Sequence, residues 1–556
     1  MAILLFCPHR IKRLNFSIFC FRFLQKFQCD YCFFMIQLIS ANSVDNNTFD
    51  VIVIISDSVQ SLSTLDDKFS EIRLAIEQFS NVCCSLNCGG DWLIHAEQIP
   101  SKRIIYSSTG SINNDFDDVR KYLKAGISAG NRFLSTGTRS PLLITLPTDR
   151  FPNAQLASSI GFLHSLYTPL LLREKNKNFI EKADLIGILE IKKEYFNKTE
   201  NLLPVGSLVD FLHAIQSSFN LCRDIGDGDP QRMSPFGVAK YILETFKDST
   251  IKVNIIENKD QIMKEYPLMA AVSRCSDNIE EYRARMIWLE YIGEGELTET
   301  LFIVGKGVTI DTGGANLKIG GSMYGMSRDK YGSAVLAGFF RALDILKPSG
   351  IKVIGCMCMC RNSIGSNSYT TDEILTARSG KTIHITNTDA EGRLAIADAL
   401  AQMKERALNS PNPHLLTIAT LTGHVCLAYG HCTAAMDNGP ARAANYAEQL
   451  RQTGDLFGQP VEVSRLYSED FSFHCSDIQT ADLKQSDVGP SVQTRRGHQG
   501  PAAFLIGASG LSECGLNSSH PIKYTHLDIG LVMGIYPGCS LPSPLLTLIA
   551  QFCLFF

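Results

Sequence analysis

The stretch NTDAEGRL, residues 387–394, sets Asp389 and Glu391 two positions apart and follows them with Arg393. A lone Asp-x-Glu is most simply a solvated turn. Upstream, however, GKGVTIDTGGANLKIGG supplies Lys306, Asp311 and Lys318 among glycines and strand-forming residues, and GMSRDKYGSA supplies Asp329 where a helical pattern begins. A buried ionised group must be paired or bound to metal. If these loops meet at the carboxyl ends of neighbouring strands, where α/β sheets place their ligands, then Asp311, Asp329, Asp389 and Glu391 share one pocket. Two divalent cations would neutralise four carboxylates, and carboxylates bridge two metals about 4 Å apart. The acids are then crowded because they share cations.

Other motif readings fall away. Asp311-Thr312-Gly313 has the form of an aspartic-protease triplet, but that mechanism needs a pair of such aspartates and the chain has no second D-T-G. Ser379-Gly380-Lys381-Thr382 looks like the tail of a phosphate-binding loop, with Leu375 where the leading glycine belongs. H-E-x-x-H does not occur, which removes the single-zinc protease reading.

The elements that must position these residues read as α/β. DVIVIIS (50–56), PLLITLP (141–147) and LIGILEI (185–191) are strand-like, and DKFSEIRLAIEQFSNV (67–82) and FPNAQLASSIGFLHSLY (151–167) have helical apolar spacing. They predict an amino-terminal α/β domain over 46–200. The Gly-, Pro- and Asp-rich RDIGDGDPQRMSP (223–235) marks entry into a second region, opened by the helical SPFGVAKYILETFKD. There, TLFIVGKGV (300–308), IKVIGCMCMC (351–360), HLLTIATLTG (414–423) and KYTHLDIG (523–530) are nearly continuous apolar runs, suited to strands covered on both faces. YGSAVLAGFFRALDIL (331–346) and RLAIADALAQMKERAL (393–408) supply the covering helices. The expectation is a larger catalytic α/β domain over 205–556 whose mixed sheet is covered by helices. Cys356, Cys358 and Cys360 alternate with methionines, a pattern of a buried strand rather than of a metal site with Cys-x-x-Cys spacing.

With 556 residues and 45% hydrophobic content, the chain can bury more than one core. Its formal charge of -4 offers no basic field for nucleic acid. The 18 cysteines are too scattered for a disulfide scaffold, and sequons such as Asn197 read as chance matches, so a reducing cytoplasm is the expected compartment. Residues 1–34 differ: nine Phe or Tyr, five Lys or Arg and one acid, Asp30, with no apolar run approaching the roughly 18 residues that span a bilayer. We read residues 1–45 as a divergent extension without required structure. A basic transit peptide and an early start, with Met35 as the alternative beginning, both fit it. The Cys29-x-x-Cys32 pair within it is too isolated for a metal or redox site.

VGKGVTIDTGGANLK, MSRDKYGSA and NTDAEGRL, in this order and spacing, resemble the leucine aminopeptidase family, the cytosol aminopeptidases with two metals, and the catalytic half resembles nematode leucyl aminopeptidases especially closely. The likeness runs from about residue 205 to the end and includes ATLTG (419–423), PAAFL (501–505) and THLDIG (525–530). It implies hydrolysis of the amino-terminal residue, Leu or another apolar one, from peptides by a water activated between two divalent ions, zinc or manganese. It implies Lys306, Asp311, Asp329, Asp389 and Glu391 as metal ligands, with Lys306 neutral and its pKa depressed. Lys318 would stabilise the oxyanion, and Arg393 would hold a bicarbonate acting as general base, with Ala390, Gly392 and Leu421 around that anion. Met326, Thr420 and Gly423 would line the pocket for the first side chain. The family likeness also implies a homohexamer, peptides as partners and no membrane. Lys330, Tyr331 and His424 stand where relatives usually have small residues; they either narrow the pocket or point into packing. A relative that has lost turnover and serves as a structural hexamer is the competing reading.

Overall fold

Val51–Ser56 is buried at every position, as an apolar run must be when both faces of its sheet are covered. It is a central strand of the first sheet in this computed structural model, which describes residues 36–44, 48–146, 148–176, 178–191 and 207–554. The extension 1–34 with its cysteine pair, Met35, Asn197 and the expected boundary between the two regions lie outside the described residues.

The first sheet holds β1 (Gln37–Ala41), β2 (Val51–Ser56), β3 (Gly90–His95), β4 (Arg103–Ser108), β5 (Pro141–Thr145) and β6 (Leu185–Leu189), in the order β1-β6-β5-β2-β4-β3. All neighbours are parallel except β3, which runs antiparallel to β4. The expected strands are thus in place. One difference concerns β1, which pairs with β6 from Gln37 to Ala41: this part of the expected extension is an edge strand, so the first sheet starts before residue 46.

The second sheet contains β7 (Lys252–Ile256), β8 (Arg285–Ile292), β9 (Glu299–Asp311), β10 (Ile351–Asn362), β13 (Pro413–Ala419), β14 (Thr433–Asp437), β15 (Val461–Val463) and β17 (Lys523–Asp528), ordered β15-β14-β17-β13-β9-β10-β8-β7. The four strand-like runs of the catalytic region lie side by side at its centre as β17-β13-β9-β10, all parallel. Phe302, Val304 and Val308 of β9 share a core with Leu394, Ile396 and Leu400 of the Glu391–Ala407 helix. On the other face, Gly305 lies against the backbone of Ser333 in the Tyr331–Leu346 helix. Each fully buried Phe or Leu in these layers contributes about 2 kcal/mol relative to an exposed one. Cys356, Cys358 and Cys360 are fully buried on β10, as their alternation predicts.

The stretch 223–235 differs from its expectation. Arg223–Gly226 is the last turn of a helix over Leu208–Gly226, and Arg223 and Asp224 are buried. Asp224 accepts hydrogen bonds from Tyr167 (2.8 Å) and Tyr241 (2.7 Å) and pairs with Arg173. Its charge reads as turn-forming in sequence, but three donors distant in the chain make it a core residue. A small third sheet, β11 (Ile374–Thr376), β12 (Thr382–His384) and β16 (Leu483–Lys484), ordered β11-β12-β16, leads directly into NTDAEGRL.

Candidate metal centre

Strand β9 delivers two of the charged residues: Lys306, in register with Cys358 of β10, and Asp311 at its end. Beyond it the chain must reverse sharply, and Gly313 and Gly314 do so at φ +86° and +67°, a region that disfavours any side chain. A Cβ on Gly313 would lie 2.4 Å from Asn316 O and 3.2 Å from Asp389 Oδ1. The turn thereby folds the Lys318 loop back over Asp311. Asp329 closes the short turn Met326–Arg328 immediately before the Tyr331–Leu346 helix. Asp389, Ala390 and Glu391 form the entry to the Glu391–Ala407 helix, and Thr420 and Leu421 follow β13.

The loops bearing the acids interlock through Thr388. Its backbone N–H and hydroxyl meet Asn316 Oδ1 at 2.8 and 3.0 Å, its hydroxyl donates to Gly313 O at 2.7 Å, and it accepts from Asn316 N at 2.8 Å. Asn362 on β10 donates to both Asp311 Oδ1 (2.8 Å) and Thr388 O (3.1 Å). Tyr369 is a second donor to the Thr388 carbonyl, at 2.8 Å.

The result is a charged cluster at the carboxyl end of the central strands. Lys306 Nζ lies 2.7 Å from Asp329 Oδ1, 2.9 Å from Glu391 Oε1 and 2.9 Å from Thr420 O. Lys318 Nζ lies 2.9 Å from Asp311 Oδ2 and pairs with Asp389. Thr420 donates to Asp329 Oδ1 at 2.7 Å. One oxygen from each of Asp311, Asp329 and Glu391 falls within 4.8 Å of the others, while Asp329 Oδ2 is buried and accepts no hydrogen bond. A hard oxygen set with a free buried lone pair, flanked by an amine, fits divalent cations.

Burial raises the Asp389 carboxyl to about 7, with Asp311 and Glu391 adding repulsion and Lys318 opposing it. Asp329 is raised by burial as well. For Lys306, burial favours the neutral amine, but the carboxylates of Asp329, Glu391 and Asp311 outweigh it and hold the ammonium above its ordinary pKa. This is opposite to the depression expected of an amine ligand. The residues alone keep Lys306 charged; only cations that neutralise the same carboxylates would leave burial in control. Burial pulls the Arg393 guanidinium down to about 10. Arg393 donates to Gln485 O at 2.9 Å, yet its Nε is buried without a partner, which leaves donor capacity for an anion.

A cavity of about 1460 Å³ opens over the cluster, lined by Lys306, Asp311, Lys318, Met326, Asp329 and Asp389, and also by Ala390, Glu391, Arg393, Thr420, Leu421 and Gly423. Of the residues singled out from sequence, Gly392 stands apart. A Cβ there would meet Lys306 Nζ at 2.6 Å, so its task is to leave room for that amine. The three departures from the family pattern point into packing. Lys330 is fully buried and donates to Gly228 O (2.8 Å) and Ser327 O; Tyr331 donates to Ser540 Oγ (2.7 Å); and His424 meets His498, Nδ1 to Nδ1, at 2.8 Å. Sequence reasoning passed over Asn316, Asn362, Thr388 and Asp528. Asp528 is fully buried and accepts from Thr422 Oγ1 (2.7 Å) and Leu421 N (3.2 Å); it lies in the quoted THLDIG, where a terminal strand acid was the available signal.

Comparison with known proteins gives concordant results. Residues 220–537 match the catalytic domain of the cytosol aminopeptidase family. A Caenorhabditis elegans protein named as an aminopeptidase is 48% identical over 517 residues, covering 92% of this chain and 97% of that protein. A Prochlorococcus marinus (strain MIT 9312) protein named as a cytosol aminopeptidase is 31% identical over 425 residues, covering 71% and 81%. The fold is shared with leucyl aminopeptidase from Leishmania major in complex with actinonin, at TM-score 0.74 and 17% identity over 94% of each chain. It is shared also with the bottromycin maturation enzyme BotP in complex with Mn, at TM-score 0.70 and 18% identity over 91% of this chain and 99% of that one.

Proposed function

The chain belongs to the cytosol aminopeptidase family and is a metallo-aminopeptidase, and on that premise we propose that it removes single apolar residues, leucine foremost, from the amino ends of peptides with the aid of two divalent cations. The observation that carries this reading is the convergence of Asp311, Asp329 and Glu391 with a free carboxylate oxygen beside Lys306. Lys306, Asp311, Asp329, Asp389 and Glu391 would hold the cations, zinc or manganese. When bound, the cations supply Lewis acidity that lowers the pKa of a water toward roughly 7 and a seat for the substrate's free amine, which restricts cleavage to the first peptide bond.

The chain's own groups do the rest. Lys318 reaches the mouth of the cluster from a glycine-hinged loop, and its ammonium would stabilise the oxyanion of the attacked carbonyl, a contact of about 3 kcal/mol in the barrier. Arg393, with its unpartnered Nε, would hold a bicarbonate as general base, bordered by Ala390 and Leu421. Met326, Thr420 and Gly423 would receive the first side chain. The family reading carries with it a cytoplasmic homohexamer, which light scattering at six chain masses tests. Among the described residues no helix is long and apolar enough to cross a membrane.

Hydrolysis of leucine amide after addition of manganese or zinc tests the proposal. Release of ammonia that stops with Asp389→Asn, while circular dichroism shows the fold retained, is the expected result. Metal binding without turnover by the wild-type protein would instead support the structural-hexamer reading.

A further inference from the structure

Gln485 follows β16 and is fully buried. Its side chain spans the acid loop from both sides of Asp389: Oε1 accepts from Thr386 N and Asn387 N at 3.2 Å each, and Nε2 donates to Ala390 O at 2.9 Å. Its backbone is engaged too. Gln485 N donates to His384 O at 2.9 Å, and Gln485 O is the acceptor for Arg393 Nη1 at 2.9 Å. The strand before it is backed by His474, whose Nδ1 meets Lys484 O at 2.9 Å while Lys484 N donates to His474 O at 3.0 Å.

We infer that Gln485 is a positioning residue for the metal centre, fixing the loop that carries Asp389 and Glu391 and, through its own carbonyl, the Arg393 guanidinium. This inference rests on the proposed two-cation reading. Within the loop, Asn316, Asn362 and Tyr369 hold Thr388, its midpoint. Gln485 bonds both before and after it, at Thr386, Asn387 and Ala390, while Thr386 and Asn387 also reach Ser486 O (2.8 Å) and Val488 O (3.1 Å), so Gln485 is a side chain that ties the approach to the acids to the residue between them. An untethered loop would let the Asp389 and Glu391 side chains leave the positions in which they meet Lys318 and Lys306 and face one cluster. A carboxamide suits the task because it offers an acceptor to two N–H groups and a donor to one carbonyl without adding charge to the cluster.

Two variants test this. Gln485→Met keeps the length and removes all three side-chain bonds; Gln485→Glu keeps an acceptor for the two amides. In Gln485→Met the half-saturating Mn2+ concentration, read by equilibrium dialysis, should rise about tenfold and kcat for leucine amide should fall by at least about tenfold, the usual effect of removing a group that orients metal ligands. KM should stay within about threefold, because Gln485 does not line the cavity. Gln485→Glu should recover part of both losses. A folded Gln485→Met protein with Mn2+ affinity and kcat within twofold of wild type, or a Gln485→Glu protein no better than Gln485→Met, overturns the inference. Should Gln485→Met fail to fold, Gln485→Glu is read alone: weakened Mn2+ affinity at unchanged KM supports it, and wild-type values for both refute it. If wild-type protein binds Mn2+ without turnover, the proposed activity fails while the dialysis arm still decides the role of Gln485.

Discussion

Gly332→Ala adds one methyl group and should disturb the centre from outside it. Gly332 sits in the first turn of the Tyr331–Leu346 helix, three residues after Asp329. An added Cβ would lie 2.1 Å from Ile418 O, 2.9 Å from Ile418 C and 3.0 Å from Lys306 N. All three are backbone atoms of β13 and β9, whose mutual register, Ile418 opposite Gly305, leaves them nowhere to go. To restore a carbon–oxygen contact of ~3.3 Å the helix start must retreat by about 1 Å. Asp329 moves with it. Its Oδ1 accepts from Lys306 Nζ and Thr420 Oγ1 at 2.7 Å each, and a shift of about 1 Å takes both beyond hydrogen-bonding range. Overpacking of this kind costs about 1–3 kcal/mol of stability, and a misplacement of about 1 Å at a reacting centre costs on the order of 100-fold in rate. Differential scanning calorimetry should therefore show a lower Tm, and leucine amide turnover with Mn2+ should fall by about two orders of magnitude. Gly489→Ala is the control: it borders the same cavity, and its added Cβ meets nothing closer than 3.9 Å. A Gly332→Ala protein with the Tm and kcat of the Gly489→Ala control would refute the packing argument.

Three other outcomes follow from the electrostatics and packing. Asp389 is raised to about 7 and Lys306 is held protonated, so Mn2+ must displace protons: calorimetry at pH 6.5 in buffers of different ionisation enthalpy should show net release, and affinity should fall as pH drops below 7. Lys330 is lowered to about 7 by burial, below its ordinary 10.5. The unfolded chain then binds the extra proton between those values, so wild-type stability should gain on that of Lys330→Met as pH rises from 7 to 10; parallel denaturation curves would contradict it. Tyr331→Phe removes the bond to Ser540 and should cost about 1 kcal/mol in urea unfolding, with kcat unchanged because the ring faces away from the cavity.

Much of the centre was legible in the chain itself. Lys306, Asp311, Asp329, Asp389 and Glu391 announce themselves because charge set among glycines and buried-strand residues has no cheap solvated explanation. The strands that carry Lys306, Cys358, Ile418 and Asp528 were visible for a related reason: parallel strands buried on both faces must be apolar nearly throughout. Gln485 and Asp224 were not legible. Each is polar in a polar stretch, and its partners lie 17 to about 100 residues away, so no local pattern distinguishes it from a surface residue. Nor could sequence decide whether Lys330, Tyr331 and His424 face the pocket, since one step along a helix turns a side chain by about 100°.

Residue types and their short-range spacing, then, determined which groups could bind cations and which segments would become strands and helices, because desolvation and periodicity act locally. Tertiary structure alone decided that Lys306 lies against Asp329 and Glu391, that Gly392 makes space for it, and that the Gln485 side chain bonds the acid loop on both sides of Asp389. Those properties belong to distances between segments far apart in the chain, and electrostatic and steric energies are set by those distances.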